Sequence, residues 1–294
     1  MTKTVNSASP FKSLRDKAMM VKFQDSVWGG QRRDRAVTAD VATRYETKKT
    51  KVGYYNKFLV PKDRLEKRIQ TGLDARRFHN TNTLPWLDDG VRILPSANYQ
   101  DYISGMRKRA SAALAAEREI YENWDDIVKE GMMLLGKMAR LEDYPSLDDI
   151  KTRFSFEVIV LPLPEVADWR VDIPKKDLAL LQKQAEQTLA AVQQDGLLEL
   201  AQRLLAVVEH CHTRLSDPES TFRDSLFENI RKMVVLLPKL NLVNDPQLEA
   251  IRKEVEEKLG KQVAAEVRED PGMRSKTAKD AAAIMKKMNA YMQQ

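Results

Sequence analysis

"DPESTFRDSLFENIRKMVVLLPKLNLVNDPQLEAIRKEVEEKLG", residues 217–260, holds two segments of one design. Asp217-Pro218 and Asp245-Pro246 each place an acidic cap before a proline, which is tolerated at the first helical position because its missing N–H has no helical partner there. Phe222, Leu226, Ile230, Met233 and Leu237 recur at helical spacing after the first, and Leu248, Ile251, Val255 and Leu259 after the second, until Gly260 supplies a stop. The stretch is expected to form an αα-hairpin.

The same periodicity runs upstream. Leu178, Leu181, Ala185, Leu189 and Val192, then Leu200, Leu204, Val207, Cys211 and Leu215, mark one long helix leading to Asp217, with Gly196 permitting a bend. Residues 176–260 are therefore expected to be an antiparallel helical bundle or a coiled-coil-like stalk. Residues 261–294 read as a linker, in which Asp270-Pro271-Gly272 breaks the helix, followed by a short amphipathic helix with Ile284, Met285, Met288 and Tyr291 on one side. That face suits a partner or self-association contact, since methionine-rich surfaces adapt; it would equally fold back on the bundle.

Before the bundle the pattern is mixed. Residues 1–17 read as a flexible polar tail, and 18–175 as a basic α/β head. "AMMVKFQDSVWGG" (18–30), "VRIL" (91–94) and "RFSFEVIVLPLP" (153–164) carry strand character, the last with the early strands as its sheet partners. Between them Pro61 opens a short helix, and 71–95 reads as an ordered excursion rich in turn formers. Ser96 caps a long helix over 97–141; at about 45 residues it would extend about 65 Å, so it must bridge or bend, and Gly131 and Gly136 weaken its last third. Pro145-Ser146 starts one further turn or two of helix. The expected class is α+β, mainly α: a small amino-terminal sheet on a long helix, followed by the helical region.

Charge is distributed unevenly along the chain. Residues 1–80 carry 19 Lys plus Arg against 8 Asp plus Glu, or +11, within a total of +6, so residues 81–294 carry −5. Such a segment suits phosphate backbones, an acidic protein surface, or a merely solvated face. The candidate nucleic-acid contacts are Arg32, Arg33, Arg35, Lys48, Lys49 and Lys51, with Trp28 or Tyr54 available for stacking; basic residues interleaved with aromatics suit single strands. The competing reading has the arginines solubilising a hairpin tip while Trp28 packs inward. Gly29-Gly30 lacks the spacing and the Lys-Ser/Thr of a phosphate loop.

Other chemistry is thin. His79 lies among Arg76, Arg77 and Asn80 without a second catalytic element. Glu209, His210, Cys211 and His212 follow one another at about 100° around a helix and cannot close on one ion. A metal-dependent nuclease would need a carboxylate cluster, and Asp25, Asp34, Asp40 and Glu46 lack recognisable spacing. No catalytic residue, cofactor or metal is expected. One cysteine among 294 residues precludes an internal disulfide, and no run approaches the ~18 apolar residues of a membrane span, so the cytoplasm is the expected location.

"SVWGGQRRDR", "VRILPSANYQDYISGMRKR" and "FRDSLFENIRKMVVLLPKLNLVNDPQLEAIRKEVEEKL" together resemble an uncharacterised family carried by bacteriophages and integrative elements. Its members are often encoded beside MoxR-like AAA+ ATPases and von Willebrand-type partners. The resemblance implies a mobile-element origin and an AAA+ ATPase among its neighbours, and carries over no catalytic residue; the helical region separately suits assembly with a partner or a second copy of the chain. A virion structural or assembly protein is the alternative.

Overall fold

The computed structural model describes residues 14–47, 53–87, 90–163 and 174–293. The chain is α+β and mainly α, with a small antiparallel sheet near the amino terminus and a long helix followed by further helices. In chain order the elements are β1 (Ala18–Ser26), β2 (Gln31–Asp34), α1 (Arg35–Arg44), β3 (Tyr55–Phe58), α2 (Asp63–Asn82), β4 (Leu84–Pro85), β5 (Val91–Pro95) and α3 (Tyr99–Glu122). There follow α4 (Trp124–Leu135), α5 (Leu147–Lys151), β6 (Ser155–Pro162), α6 (Lys175–Ser216), α7 (Ser225–Leu240), α8 (Pro246–Val255), α9 (Ala264–Glu269) and α10 (Pro271–Met292). One sheet has the order β4-β5-β1-β6, with Ala18 opposite Pro95 and Leu84 opposite Ile93; β2 and β3 form a separate two-stranded ribbon. Among the described residues no helix is long and apolar enough to cross a membrane.

The compact units are discontinuous in sequence. One takes the described residues of Met1–Lys22, Asn80–Tyr102 and Ile159–Gln294, the other Phe23–His79 and Ile103–Val158. The sequence division, by contrast, keeps 18–175 together as a head.

In the first unit α6 is the organising element. Its buried positions Leu189, Val192, Leu200, Leu204, Val208, Cys211 and Leu215 join Leu226, Ile230 and Leu237 of α7, Leu248 and Val255 of α8, and Ile284 and Met288 of α10 in one core. β4 packs on α6 and β5 on α7, so the long helix against the sheet edge is α6. The helix expected over 97–141 is two: Asn123 turns its side chain back onto the Glu119 carbonyl at 2.7 Å, and α4 begins at Trp124 with Asp125 and Asp126 complementing its amino-terminal dipole.

The Asp-Pro starts divide. Asp245 caps α8 through the Leu248 N–H at 2.7 Å, and Asp270 caps α10 through Gly272 and Met273 at 2.7 and 3.1 Å. Asp270-Pro271-Gly272 thus ends α9 at Glu269, the expected break, and starts a helix of 22 residues rather than a short one. Asp217-Pro218 starts no helix; Asp217 accepts from Glu219 in a turn, and α7 begins only at Ser225. The reason lies in two arginines. Arg274 donates to the carbonyls of Leu215 at 3.1 Å, Arg214 at 2.9 Å, Ser220 at 2.8 Å and Asp217, and Arg268 to that of Phe222 at 3.1 Å. The end of α6 and the loop after it hold their carbonyls toward these side chains, which satisfy the acceptors a helix end leaves open.

In the second unit Trp28, Leu59, Val60, Leu65, Ile127 and Phe154 belong to a separate core. Beside it Arg68 is fully buried; it donates to Glu117 at 2.6 Å, to Asp25 at 2.8 Å and to the Ser155 carbonyl at 3.1 Å. Burial opposes its charge, but the two carboxylates outweigh that and leave its pKa above the ordinary arginine value. α2 runs on through the stretch expected to be a loop excursion. α1 lies within the segment between β2 and β3, and α5 begins at the expected Pro145-Ser146 start, where Ser146 forms a capping box with Asp149.

Candidate functional site

The β2–β3 ribbon pairs Arg32 with Lys57 and Arg33 with Asn56, then Asp34 with Tyr55. Two cations directly opposite would repel. Here carboxylates separate them: Lys57 Nζ, only 2% exposed, lies 3.1 Å from Asp34 and 2.5 Å from Asp143, and donates to the Met138 carbonyl at 2.9 Å. Arg32 Nε sits 3.1 Å from the other Asp143 oxygen, while Nη1 donates to the Glu142 and Asp143 carbonyls at 3.1 Å. These four groups sum to zero charge.

Asp34 also caps α1, accepting from Ala36 and Val37 at 3.0 Å. The Val37 N–H foremost, with Lys57 assisting against burial, holds the Asp34 carboxyl below the ordinary aspartate range. Burial opposes the Lys57 ammonium, yet Asp143 and Asp34 outweigh it and raise its pKa above the ordinary lysine value.

Around this neutral floor stand Arg33, Arg35 and Arg140, all exposed, and with Arg32, Lys57, Asp34 and Asp143 they line an open depression of about 470 Å³. Among the described residues no carboxylate lies within ion-pair distance of these three. The Arg33 guanidinium stacks 4.6 Å from the centre of the exposed Tyr54 ring, a contact that holds the fork in place while leaving its N–H edges open.

The structure thus brings together Arg32, Arg33 and Arg35, with Tyr54 against Arg33; Lys48, Lys49 and Lys51 lie outside the described residues. Trp28 is not available for stacking. It is 7% exposed and packs T-shaped against Trp124, centroids 5.5 Å apart, so the inward-packing reading is the one observed. Sequence reasoning missed Lys57, Arg140 and Asp143. Lys57 carries a weak signal as a charged residue inside a short strand; Arg140, more than a hundred positions from Arg32, carries none.

The candidate partner face at the carboxy terminus is corrected as well. Ile284 and Met288 are 0% exposed, and Met285 and Tyr291 pack against the same core, because α10 lies along α6 and closes the bundle. Burial and the neighbouring Asp245 carboxylate push the Tyr291 phenol up to about 12, as expected of an internal residue. His79 lies within α2, buried and 5.7 Å from the Phe23 ring. Cys211 is buried in the bundle, with its thiol pushed up to about 12 by desolvation, while the His212 Nδ1–H donates to the Ala278 carbonyl at 3.1 Å. Asp25, Asp34 and Asp40 each engage a different cation, Arg68, Lys57 and Arg44. Among the described residues no three His, Cys, Asp or Glu side chains are placed to share a metal ion.

Comparison with protein-family models, with curated proteins and with solved structures finds no match to this chain.

Proposed function

We propose that this chain is a non-catalytic accessory protein that binds the phosphate groups of nucleic acid, without strong base preference, in the arginine-rimmed depression of its second unit. One observation carries the proposal. Within that unit several cations lack a carboxylate partner among the described residues, and Arg33, Arg35 and Arg140 are the three of these that surround one concavity. Exposed, unpaired guanidinia gathered on one concave surface favour a polyanion, because each phosphate they neutralise releases counterions. Arginine also suits phosphate geometrically, through its paired N–H donors.

The setting within this proposal is a bacteriophage or integrative element, with a MoxR-like AAA+ ATPase as a partner; it rests on the sequence resemblance alone. The test is retardation of single-stranded DNA and RNA by the full chain at ~50 mM salt, where electrostatic binding is strong. Replacing Arg33, Arg35 and Arg140 by Gln is expected to weaken retardation strongly while the thermal transition stays in place. No retardation by the wild-type chain would reject the proposal and favour an acidic protein surface as occupant.

A further inference from the structure

We infer that the depression takes a phosphate monoester, the phosphorylated end of a strand, in preference to an internal phosphodiester; the inference rests on the nucleic-acid reading above. The floor needs no ligand, since Arg32 and Lys57 are already neutralised by Asp34 and Asp143. Those two carboxylates also repel an anion that goes deeper, so the bound phosphorus is held at the level of the rim.

The rim offers three guanidinia, each with a fork of donors. An internal diester brings one negative charge and two unesterified oxygens, enough to engage one fork fully and a second in part. A monoester brings about −1.5 to −2 charge near neutral pH and three free oxygens, so that each of the three forks finds an acceptor. Geometry points the same way. The site is a concavity of about 470 Å³ lined from β2, the first two residues of α1, β3 and the segment after α4, and the end of a strand enters a concavity more readily than its middle, where the chain must continue out on both sides. The Arg33 fork is already stacked on Tyr54, so one of the three donors loses little freedom when the anion arrives.

The experiment is fluorescence anisotropy of the full chain with one single-stranded sequence of about 12 nucleotides, within the usual range of single-strand site sizes. It is labelled internally and carries either a 5′-phosphate, a 3′-phosphate or hydroxyls at both ends. At least one phosphorylated form is expected to bind about tenfold more tightly than the hydroxyl form, the effect of one additional charge-assisted hydrogen bond. Arg35→Gln and Arg140→Gln, each shown by denaturation to be folded, should erase that difference. A nucleoside 5′-monophosphate should displace the phosphorylated strand where the nucleoside at equal concentration does not, and it reports whether the monoester alone is read. Equal affinity for all three strands, or a preference that survives both substitutions, overturns the monoester inference and leaves the phosphate-binding proposal standing. Failure of all three strands to bind at ~50 mM salt overturns both. Should either variant fail to fold, the comparison among wild-type ligands decides alone.

Discussion

Removing side chains from the buried face of α10 separates a helix that closes a core from one that waits for a partner. Ile284 and Met288 are both 0% exposed and stand one turn apart in the core that α6, α7 and α8 share. Ile284→Ala removes three carbons, about 2.4 kcal/mol at ~0.8 kcal/mol per buried methylene, and the residual cavity raises the loss to about 3–4 kcal/mol. Met288→Ala belongs in the same range of about 2–5 kcal/mol. The two positions face one region of core, so the double variant should lose somewhat less than the sum, yet most of the 5–15 kcal/mol typical of a folded domain. Urea titration followed by far-ultraviolet circular dichroism would show the midpoint falling with little change in slope. The exposed Lys286→Ala should stay within about 0.5 kcal/mol of wild type. An unchanged midpoint for Ile284→Ala, with loss of a self-associated species, would refute the packing argument and restore α10 as a partner helix.

Three further outcomes follow from the buried charge networks and from one close backbone approach. Arg68→Met should cost about 3–5 kcal/mol, because Asp25 and Glu117, about 11–12% exposed, would lose their common cation; a loss under ~1 kcal/mol in urea titration contradicts the buried network. Lys57→Met should destabilise in the same way through Asp34 and Asp143. Asp34 has a lowered folded pKa, so its contribution is fully present above its unfolded value near 4 and is lost as pH falls through the folded value; Lys57 has a raised one, so its contribution is fully present below its ordinary value of 10.5 and is lost as pH rises through the folded value. The gap between wild type and Lys57→Met should therefore be flat near neutral pH and narrow on acidification below about pH 4, and a gap that widens there refutes the pairing. Gly131→Ala should destabilise by several kcal/mol, since a Cβ would sit 1.8 Å from the Leu59 carbonyl oxygen, which also accepts from Tyr144 Oη at 2.7 Å; a thermal shift under a degree or two would refute that close approach.

The fold is legible in this sequence wherever apolar residues mark a face, and obscure where polar ones do. α6, α7 and α8 bury leucine, isoleucine and valine at helical spacing and were readable from periodicity. α2 buries Leu65, Arg68, Gly72, Ala75 and His79 at the same spacing, yet four of these five are charged, polar or small, so the stripe looks like a loop rich in turn formers. α1 buries only Thr38 and Ala42, and its one signal was Asp34 standing as a cap before ten residues free of Gly and Pro. Gly131 reads as a weakness in a helix, whereas its role is to let the Leu59 backbone approach α4. The end of the expected long helix was hidden likewise, because Asn123 breaks it with a side-chain bond that apolar periodicity does not register.

The candidate site shows the same division. Charge asymmetry located Arg32, Arg33 and Arg35, since composition is a one-dimensional property. It could not say that Arg32 is consumed by Asp143 or that Arg140 completes the rim, because these are consequences of tertiary placement across a hundred residues. Trp28 was ambiguous for a similar reason: an aromatic beside arginines reads alike whether it faces a base or Trp124.

The most direct measurement on the central claim is the salt dependence of single-strand binding for the wild-type chain and for the variant with Gln at positions 33, 35 and 140. Loss of the three guanidinia should lower the slope of log affinity against log salt concentration by ~0.7 for each phosphate they neutralise on a single strand, with an unchanged thermal transition. A wild-type affinity indifferent to salt, or an identical slope in the variant, would contradict phosphate binding by this rim.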